Sequence, residues 1–142
     1  MDNEVTIDNI EMVYILLNNS IKNDFKIIMA IEEYDNTDII TIKTKINGKN
    51  YNSNGEDYFS TFQKIKDILL KDNIGIKCYG SMENVYPSPM MRTSYNAYIL
   101  ENGKQAFMEN IVNIFDYVDI NKFSTLDEQN NYYNNWLKSI IK

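Results

Sequence analysis

One segment of this chain, residues 78–98, concentrates side chains that are suited to chemistry or recognition. It contains the only arginine (Arg92), the only cysteine (Cys78) and both prolines, Pro87 and Pro89. A planar guanidinium binds a carboxylate or a phosphate through two parallel hydrogen bonds. Proline fixes φ and lacks an N–H donor, so these two residues exclude a helix here and stiffen the loop. The segment is therefore the first place to look for a site.

Two roles of Arg92 stay open from the residues alone. With the hydroxyls of Tyr86 and Ser88, the guanidinium could bind an anion or anchor a protein interface, where Tyr and Arg dominate the binding energy. Tyr95 and Tyr98 lie close in sequence and favour the interface. In the structural alternative, the loop connects two strands and Arg92 binds backbone carbonyls or a nearby carboxylate.

The amino-acid composition disfavours most classes of enzyme. Histidine is absent, which excludes Ser–His and Cys–His nucleophilic pairs and every histidine-based zinc site. Cys78 lies in a predicted strand with no base beside it, so we interpret it as a small buried hydrophobe. The carboxylate pairs lie in turns or at helix ends, where they have structural reasons to occur. We assign no catalytic residue, no metal ligands and no cofactor.

The charge of the chain points to a basic protein as partner. Its 142 residues include 20 carboxylates and 14 basic side chains, which gives a net charge of −6. This balance disfavours binding to nucleic acid, and it suits a basic protein or simply keeps the chain soluble. The candidate partner-facing acidic residues, which could equally form a solvated hairpin tip, are Glu32, Glu33, Asp35, Asp38, Glu56 and Asp57.

The order of predicted elements indicates an α+β fold in a single domain, residues 1–142. From the N-terminus they are a helix at 9–20, strands at 25–34, 38–46 and 49–53, a helix at 54–72, strands at 74–79, 95–100 and 111–118, and a helix from Thr125 to Ile141. The first helix rests on apolar spacing and an Asp8–Glu11 capping box, and the last on a Thr125–Glu128 box. We expect a largely antiparallel sheet with helices packed on one face. A single cysteine and the lack of an apolar run of about 18 residues predict a cytoplasmic protein outside the membrane.

The proline segment and the chain after it resemble a family of small bacterial proteins. The shared run is G-x-x-x-N-V-Y-P-S-x-M-x-R, formed here by Gly80, Asn84, Val85, Tyr86, Pro87, Ser88, Met90 and Arg92. It is followed by A-Y at 97–98, G-K-Q-A at 103–106, V-N-I-F-D at 112–116 and a C-terminal helix. The likeness spans about residues 54–140 and leaves the N-terminal third uncovered.

This family is similar to the immunity proteins of polymorphic-toxin and contact-dependent inhibition systems. The resemblance implies a small cytoplasmic protein that blocks a cognate toxin, and it supplies no catalytic residues. The chain departs from the family at residues 93–96, where Thr-Ser-Tyr-Asn replaces glycines. A backbone contact to a ligand at this point is therefore not expected to carry over.

Three functions follow as expectations. The first is an immunity protein that occludes a basic toxin, a nuclease domain, through acidic residues and aromatic anchors. The second is a small-molecule or anion-binding domain, possibly enzymatic, centred on the loop from Tyr86 to Arg92. The third is an assembly subunit whose same surface packs against identical copies.

Overall fold

A five-stranded antiparallel sheet forms most of the fold of residues 4–141, the part of the chain that the computed structural model describes. Its strands are Val5–Leu16 (β1), Phe25–Tyr34 (β2), Ile40–Ile46 (β3), Lys49–Gly55 (β4) and Ile74–Ile76 (β5). They lie in the spatial order β4-β3-β2-β1-β5, and each neighbouring pair is antiparallel. The long strands β1 and β2 thus form the centre of the sheet.

Two helices and a small second sheet complete the α+β fold. Helix α1 is Tyr58–Lys71 and helix α2 is Leu126–Ile140. The small antiparallel sheet has strands Val85–Tyr86 (β6), Asn96–Ile99 (β7) and Ile111–Asn113 (β8), in the order β6-β7-β8. Among the described residues, no helix is long and apolar enough to cross a membrane.

Helix α1 covers one face of the large sheet because its apolar side chains recur at helical spacing. Phe59, Phe62, Ile65 and Leu69 are fully buried, and they pack against the alternating inward residues of the strands. On β2 these inward residues include Met29 and Ile31, each at most 1% exposed. The helix and the sheet therefore enclose one core, and the opposite sheet face is left more exposed.

A buried polar contact joins α2 to α1. The Lys66 ammonium donates to Gln129 Oε1 at 2.8 Å, and Gln129 Nε2 donates to the carbonyls of Gly80 at 2.9 Å and Met82 at 3.0 Å. The Asp67 carboxylate accepts from the Leu126 N–H at the start of α2. The C-terminal helix is thus held by specific polar bonds as well as by packing.

The predicted hairpin and its following strand are confirmed. Strands β2 and β3 pair as expected, and Asn47 and Gly48 turn the chain with φ values of 51° and 81°. Positive φ at both positions is the geometry that an Asn-Gly hairpin turn requires. The predicted return strand is present as β4.

The helix predicted at residues 9–20 is wrong, because residues 9–16 belong to strand β1 and residues 17–20 lie in the connection that follows it. Ten residues of β1 pair in register with β2. Ile10, Met12 and Tyr14 alternate along β1 and face the core, as in a strand with one buried face. The helical spacing of other apolar residues in this stretch obscured the alternation. No capping box forms at Asp8, whose carboxylate accepts a hydrogen bond from Tyr95 instead.

Several predicted boundaries also differ. The helix predicted at 54–72 begins only at Tyr58, where Asp57 caps it, because Ser53 and Asn54 are part of β4. The strand predicted at 111–118 ends at Asn113, and that predicted at 74–79 ends at Ile76. The Thr125–Glu128 capping box is confirmed, with α2 ending one residue earlier, at Ile140.

The exclusion of any helix from the proline segment is wrong. Two 3₁₀ helices lie in the segment, at Tyr79–Ser81 and Pro89–Thr93. Proline is tolerated at the first position of a helix, because the N–H that it lacks would have no partner inside the helix there. Pro89 is therefore compatible with the start of the second short helix.

Candidate functional site

An acidic cleft of about 620 Å³ opens where the β2–β3 hairpin meets the start of α1 and the proline segment. Among the described residues, its charged wall consists of Glu33, Asp35, Asp38 and Glu56, together with the basic Arg92. The cleft thus unites four of the six acidic residues selected from the sequence with Arg92. We call this site the acidic cleft.

The alternation of strand β2 decides which acidic residues face the acidic cleft. Met29 and Ile31 point into the core, so Glu33 falls on the same face, beyond the end of the covered region. Glu32 falls on the opposite face, where it forms a 3.2 Å ion pair with Lys43. The predicted acidic patch is therefore split between two faces of the sheet.

Aromatic hydroxyls bind two carboxylates in this region, of which Glu33 lines the acidic cleft and Asp8 does not. Tyr58 donates a hydrogen bond to Glu33 Oε1, and Tyr95 donates to Asp8 Oδ2 at 2.9 Å. The rings of Tyr58 and Tyr95 meet edge to face at 4.7 Å. Burial, and then the bond to the neighbouring carboxylate, raises the pKa of each phenol, so both remain hydrogen-bond donors at neutral pH.

Arg92 is bound within the protein and is only partly available to a ligand. Its Nη1 donates to Ser60 Oγ at 3.0 Å and lies 3.4 Å from both oxygens of Asp57, the residue that caps α1. The guanidinium carbon lies 5.4 Å from the centre of the Phe59 ring and 5.6 Å from that of Tyr86. The structural alternative for Arg92 included a carboxylate partner, and Asp57 is such a partner.

Replacement of Arg92 by alanine is expected to lower the free energy of unfolding by about 1 kcal/mol, since it removes a partly buried ion pair and two cation–π contacts. Urea denaturation measures this loss. Arg92→Lys is the matched control, which keeps the charge but loses the planar stacking, and it should fall between alanine and the wild type. An alanine variant as stable as the wild type would show that Arg92 does not brace the loop.

Tyr86 is an internal anchor between the proline segment and α2. Its ring stacks on Tyr133 with 4.2 Å between centroids, and it meets Phe59 edge to face at 5.1 Å. Its hydroxyl donates to Asn130 Oδ1 at 2.7 Å. These contacts leave the ring only partly exposed, so a partner would meet its rim and not the whole ring.

The remaining loop residues lie apart from the acidic cleft. Tyr98 is the cross-strand neighbour of Tyr86 in the small sheet. Ser88 precedes the 3₁₀ helix, and its side chain makes no capping hydrogen bond. Tyr86, Ser88 and Tyr98 therefore do not line the acidic cleft with Arg92.

Cys78 has the buried position expected of it. Its side chain is fully buried, and burial raises the pKa of the thiol to about 11. A thiol with so high a pKa is a poor nucleophile at neutral pH. Among residues 4–141, no cluster of three or more cysteine or acidic side chains is arranged to hold a metal ion.

Comparison with models of protein families finds no match, and comparison with curated proteins finds none either. Around the acidic cleft, four carboxylates surround one guanidinium that Asp57 already partly neutralises, so the local field is negative. That field attracts a cation and repels a free anion.

The sequence interpretation missed several residues that line the acidic cleft. One of them is Tyr58 on helix α1, which donates a hydrogen bond to Glu33. Thr6, Tyr34 and Ile39 add polar and apolar surface to the wall. Once Phe25–Tyr34 is taken as a strand, alternation places Glu33 inward, but nothing local indicates that Thr6 lies beside it.

Proposed function

We propose that this chain is an immunity-type binding protein, acting in the cytoplasm, that neutralises a cognate bacterial toxin by direct occlusion. The toxin is a basic protein, a nuclease domain. The observation that carries the proposal is the acidic cleft, whose Asp35, Asp38 and Glu56 side chains are solvent-exposed. Exposed carboxylates concentrated on a concave wall favour a partner with a basic protrusion.

The acidic cleft suits a nuclease because of how such enzymes bind their substrates. A nuclease holds the phosphates of nucleic acid with lysine and arginine side chains, and the same side chains would be attracted to carboxylates. A protein that occupies these basic residues covers the substrate site without doing chemistry. Tyr34 and Ile39, both exposed on the rim, add apolar contact area.

A second candidate is a small-molecule-binding domain, because Arg92 lines a real concavity. Its expected anionic ligand fits less well, since the four carboxylates would repel it and Arg92 already binds Asp57. A small cation is the better match to the charge. An amine that raises the melting temperature of this protein would favour this candidate. The rise should be equally large in Arg92→Ala, although that variant starts from a lower melting temperature.

Reversing the charge of the acidic cleft is expected to abolish neutralisation. The variant Asp35→Lys/Asp38→Lys/Glu56→Lys should weaken binding to the product of the adjacent upstream open reading frame by about 100-fold, at about 1 kcal/mol for each lost charge contact. Calorimetry measures the affinity, and nuclease activity measures the neutralisation. Within residues 4–141 none of the three side chains forms a hydrogen bond or an ion pair, so folding should persist, as circular dichroism would check.

The matched control moves the same charges to a distant surface. Glu101→Lys/Glu109→Lys/Asp116→Lys changes the net charge equally at three exposed positions away from the acidic cleft. It should bind with nearly the wild-type affinity. Equal losses in both variants would assign the effect to net charge, and a toxin that stays active in excess wild-type protein would refute the proposed function.

A further inference from the structure

Strand β1 has an open edge along most of its length. On the side away from β2 its neighbour is β5, which pairs only with residues 14–16 of β1. The next contacts on that side are the bond from Lys77 N to Val13 O, at 2.8 Å, and that from Leu17 N to Asn73 O. From Val13 back to the start of the strand, no other strand lies alongside in the described part of the chain.

The alternation of these hydrogen bonds along β1 shows which backbone groups face the open edge. Successive residues of an antiparallel strand direct their N–H and C=O groups alternately to the two sides. Val13 and Leu17 bond on the β5 side, whereas Glu4 O accepts from Asp35 N on the β2 side. The odd-numbered residues therefore point to the open edge: Val5, Ile7, Asn9 and Glu11.

These four residues present eight backbone donors and acceptors over a length of about 20 Å. Within residues 4–141 none of the eight groups forms a hydrogen bond. Val5 and Ile7 are 41% and 52% exposed, so the sheet face beside the edge is open to solvent and partly apolar. Natural edges are usually blocked by proline, lysine or a bulge, and this stretch has no proline or lysine.

Charge decides which kind of strand fits this edge. Glu4, Asp8 and Glu11 lie along it, and Lys26, 3.5 Å from Glu11, is the basic group paired with them in the described structure. A second copy of this chain would bring two such acidic strands together, which like-charge repulsion opposes. A basic strand would be attracted.

We propose that the open edge of β1 binds an extended basic segment of the partner protein by adding it as a strand to the sheet. The edge ends at the acidic cleft, since Thr6 lines the cleft and Val5 pairs with Tyr34 on its rim. A strand that binds Val5–Glu11 through its backbone carries its next basic side chains to the carboxylates of the cleft. This mode of binding rests on the proposed function, whose basic partner supplies the strand.

The alternation of N–H groups along the edge predicts which amides a bound strand would protect from hydrogen exchange. The probe is a capped heptapeptide of alternating lysine and valine, and the readout is amide hydrogen exchange by NMR. Exchange should slow by about tenfold or more at Val5, Ile7, Asn9 and Glu11, with no change at Thr6, Asp8 and Ile10, which already bond to β2. The same peptide with glutamate in place of lysine should not protect them.

A proline variant tests the backbone directly. Ile7→Pro removes an N–H that has no partner in the fold, so the protein should stay folded while the peptide binds about tenfold more weakly or worse. Ile7→Thr is the matched control, which keeps the N–H and should bind as the wild type does. The proposal is overturned if the lysine peptide does not protect the amides of Val5, Ile7, Asn9 and Glu11. It is also overturned if the peptide binds Ile7→Pro and Ile7→Thr equally well.

The two proposals fail in different ways. If the toxin binds wild type and Ile7→Pro equally well, the edge is not used, while the proposed function stands. If no toxin binds although the lysine peptide protects the odd amides, the edge is competent and the proposed function fails. Concentration-dependent protection of the odd amides without peptide, with a dimer in sedimentation, would assign the edge to a second copy and overturn the basic partner.

Discussion

Replacement of Phe62 by alanine is expected to lower the free energy of unfolding by about 4 kcal/mol, a large part of the 5–15 kcal/mol typical of a domain. The ring is fully buried and meets Phe115 edge to face at 5.3 Å. It also packs tightly on Gly80, where an added Cβ would lie 2.7 Å from Phe62 Cε2. Because α1, the sheet and the loop at Gly80 enclose the ring, the cavity left behind cannot easily collapse.

Ile68→Ala on the same helix is the control for this change. Ile68 is 42% exposed, so its truncation removes less buried surface, and we expect a loss below about 1 kcal/mol. Both variants place alanine in the middle of α1, so the helix propensity of the new residue is the same in both. Urea denaturation with an unchanged slope measures both losses. Similar losses would mean that Phe62 does not fill the core.

Features set by neighbouring residues could be predicted from the sequence. The β2–β3 hairpin follows from alternation, and the turn at Asn47-Gly48 follows from the need for positive φ. The start of α2 follows from Thr125 and Glu128, which cap it within one turn. In each case the signal and the structure lie within a few residues of each other.

Strand β1 could not be predicted, because its conformation depends on a distant partner. The spacing of Ile10, Val13 and Leu17 fits a helix, whereas the alternation of Ile10, Met12 and Tyr14 fits a strand, so the local pattern does not decide between them. The pairing with β2 supplies ten residue pairs, and it overrides this local preference. The same error hid the open edge, which exists only once residues 5–12 are a strand.

The acidic cleft was predicted in its composition but not in its assembly. Glu33 and Arg92 were both selected, yet they are 59 positions apart in sequence and no local pattern places them on one wall. The Arg92–Asp57 contact likewise joins residues 35 positions apart. Side-chain types indicate which residues can take part in a site, and the fold of the sheet decides which of them meet.

Raising the pH from 7 to 9 is expected to stabilise this protein through Lys66. Burial lowers the pKa of Lys66 from 10.5 to about 8, and the nearby Asp67 carboxylate only partly offsets this. Between these two pKa values the native state binds fewer protons than the unfolded chain, so stability rises with pH. The lysine contributes a gain of about 1 kcal/mol between pH 7 and 9, where the native ammonium loses its proton.

The other titratable groups around Lys66 set the useful pH window. Asp67, Glu128 and Cys78 act on the ammonium, and all three favour its charged form. Cys78 has the opposite effect on stability above pH 9, because its native pKa of about 11 exceeds the usual 9.0 and only the unfolded thiol ionises there. Because the unfolded thiol already begins to ionise below pH 9, urea denaturation at pH 7, 8 and 9 measures both effects, and comparison with a Lys66 variant separates the lysine.

Lys66→Met should remove this pH dependence and raise the stability at neutral pH. At pH 7 the lowered pKa corresponds to a cost of about 3 kcal/mol, which methionine avoids. The loss of the 2.8 Å hydrogen bond to Gln129 offsets about 1–2 kcal/mol of it. The variant should thus be more stable than the wild type at pH 7, and this advantage should shrink by pH 9. Lys64→Met, at an exposed position of the same helix, keeps Lys66 and should become more stable from pH 7 to 9 as the wild type does. If Lys66→Met also became more stable over this pH range, the titrating group would lie elsewhere.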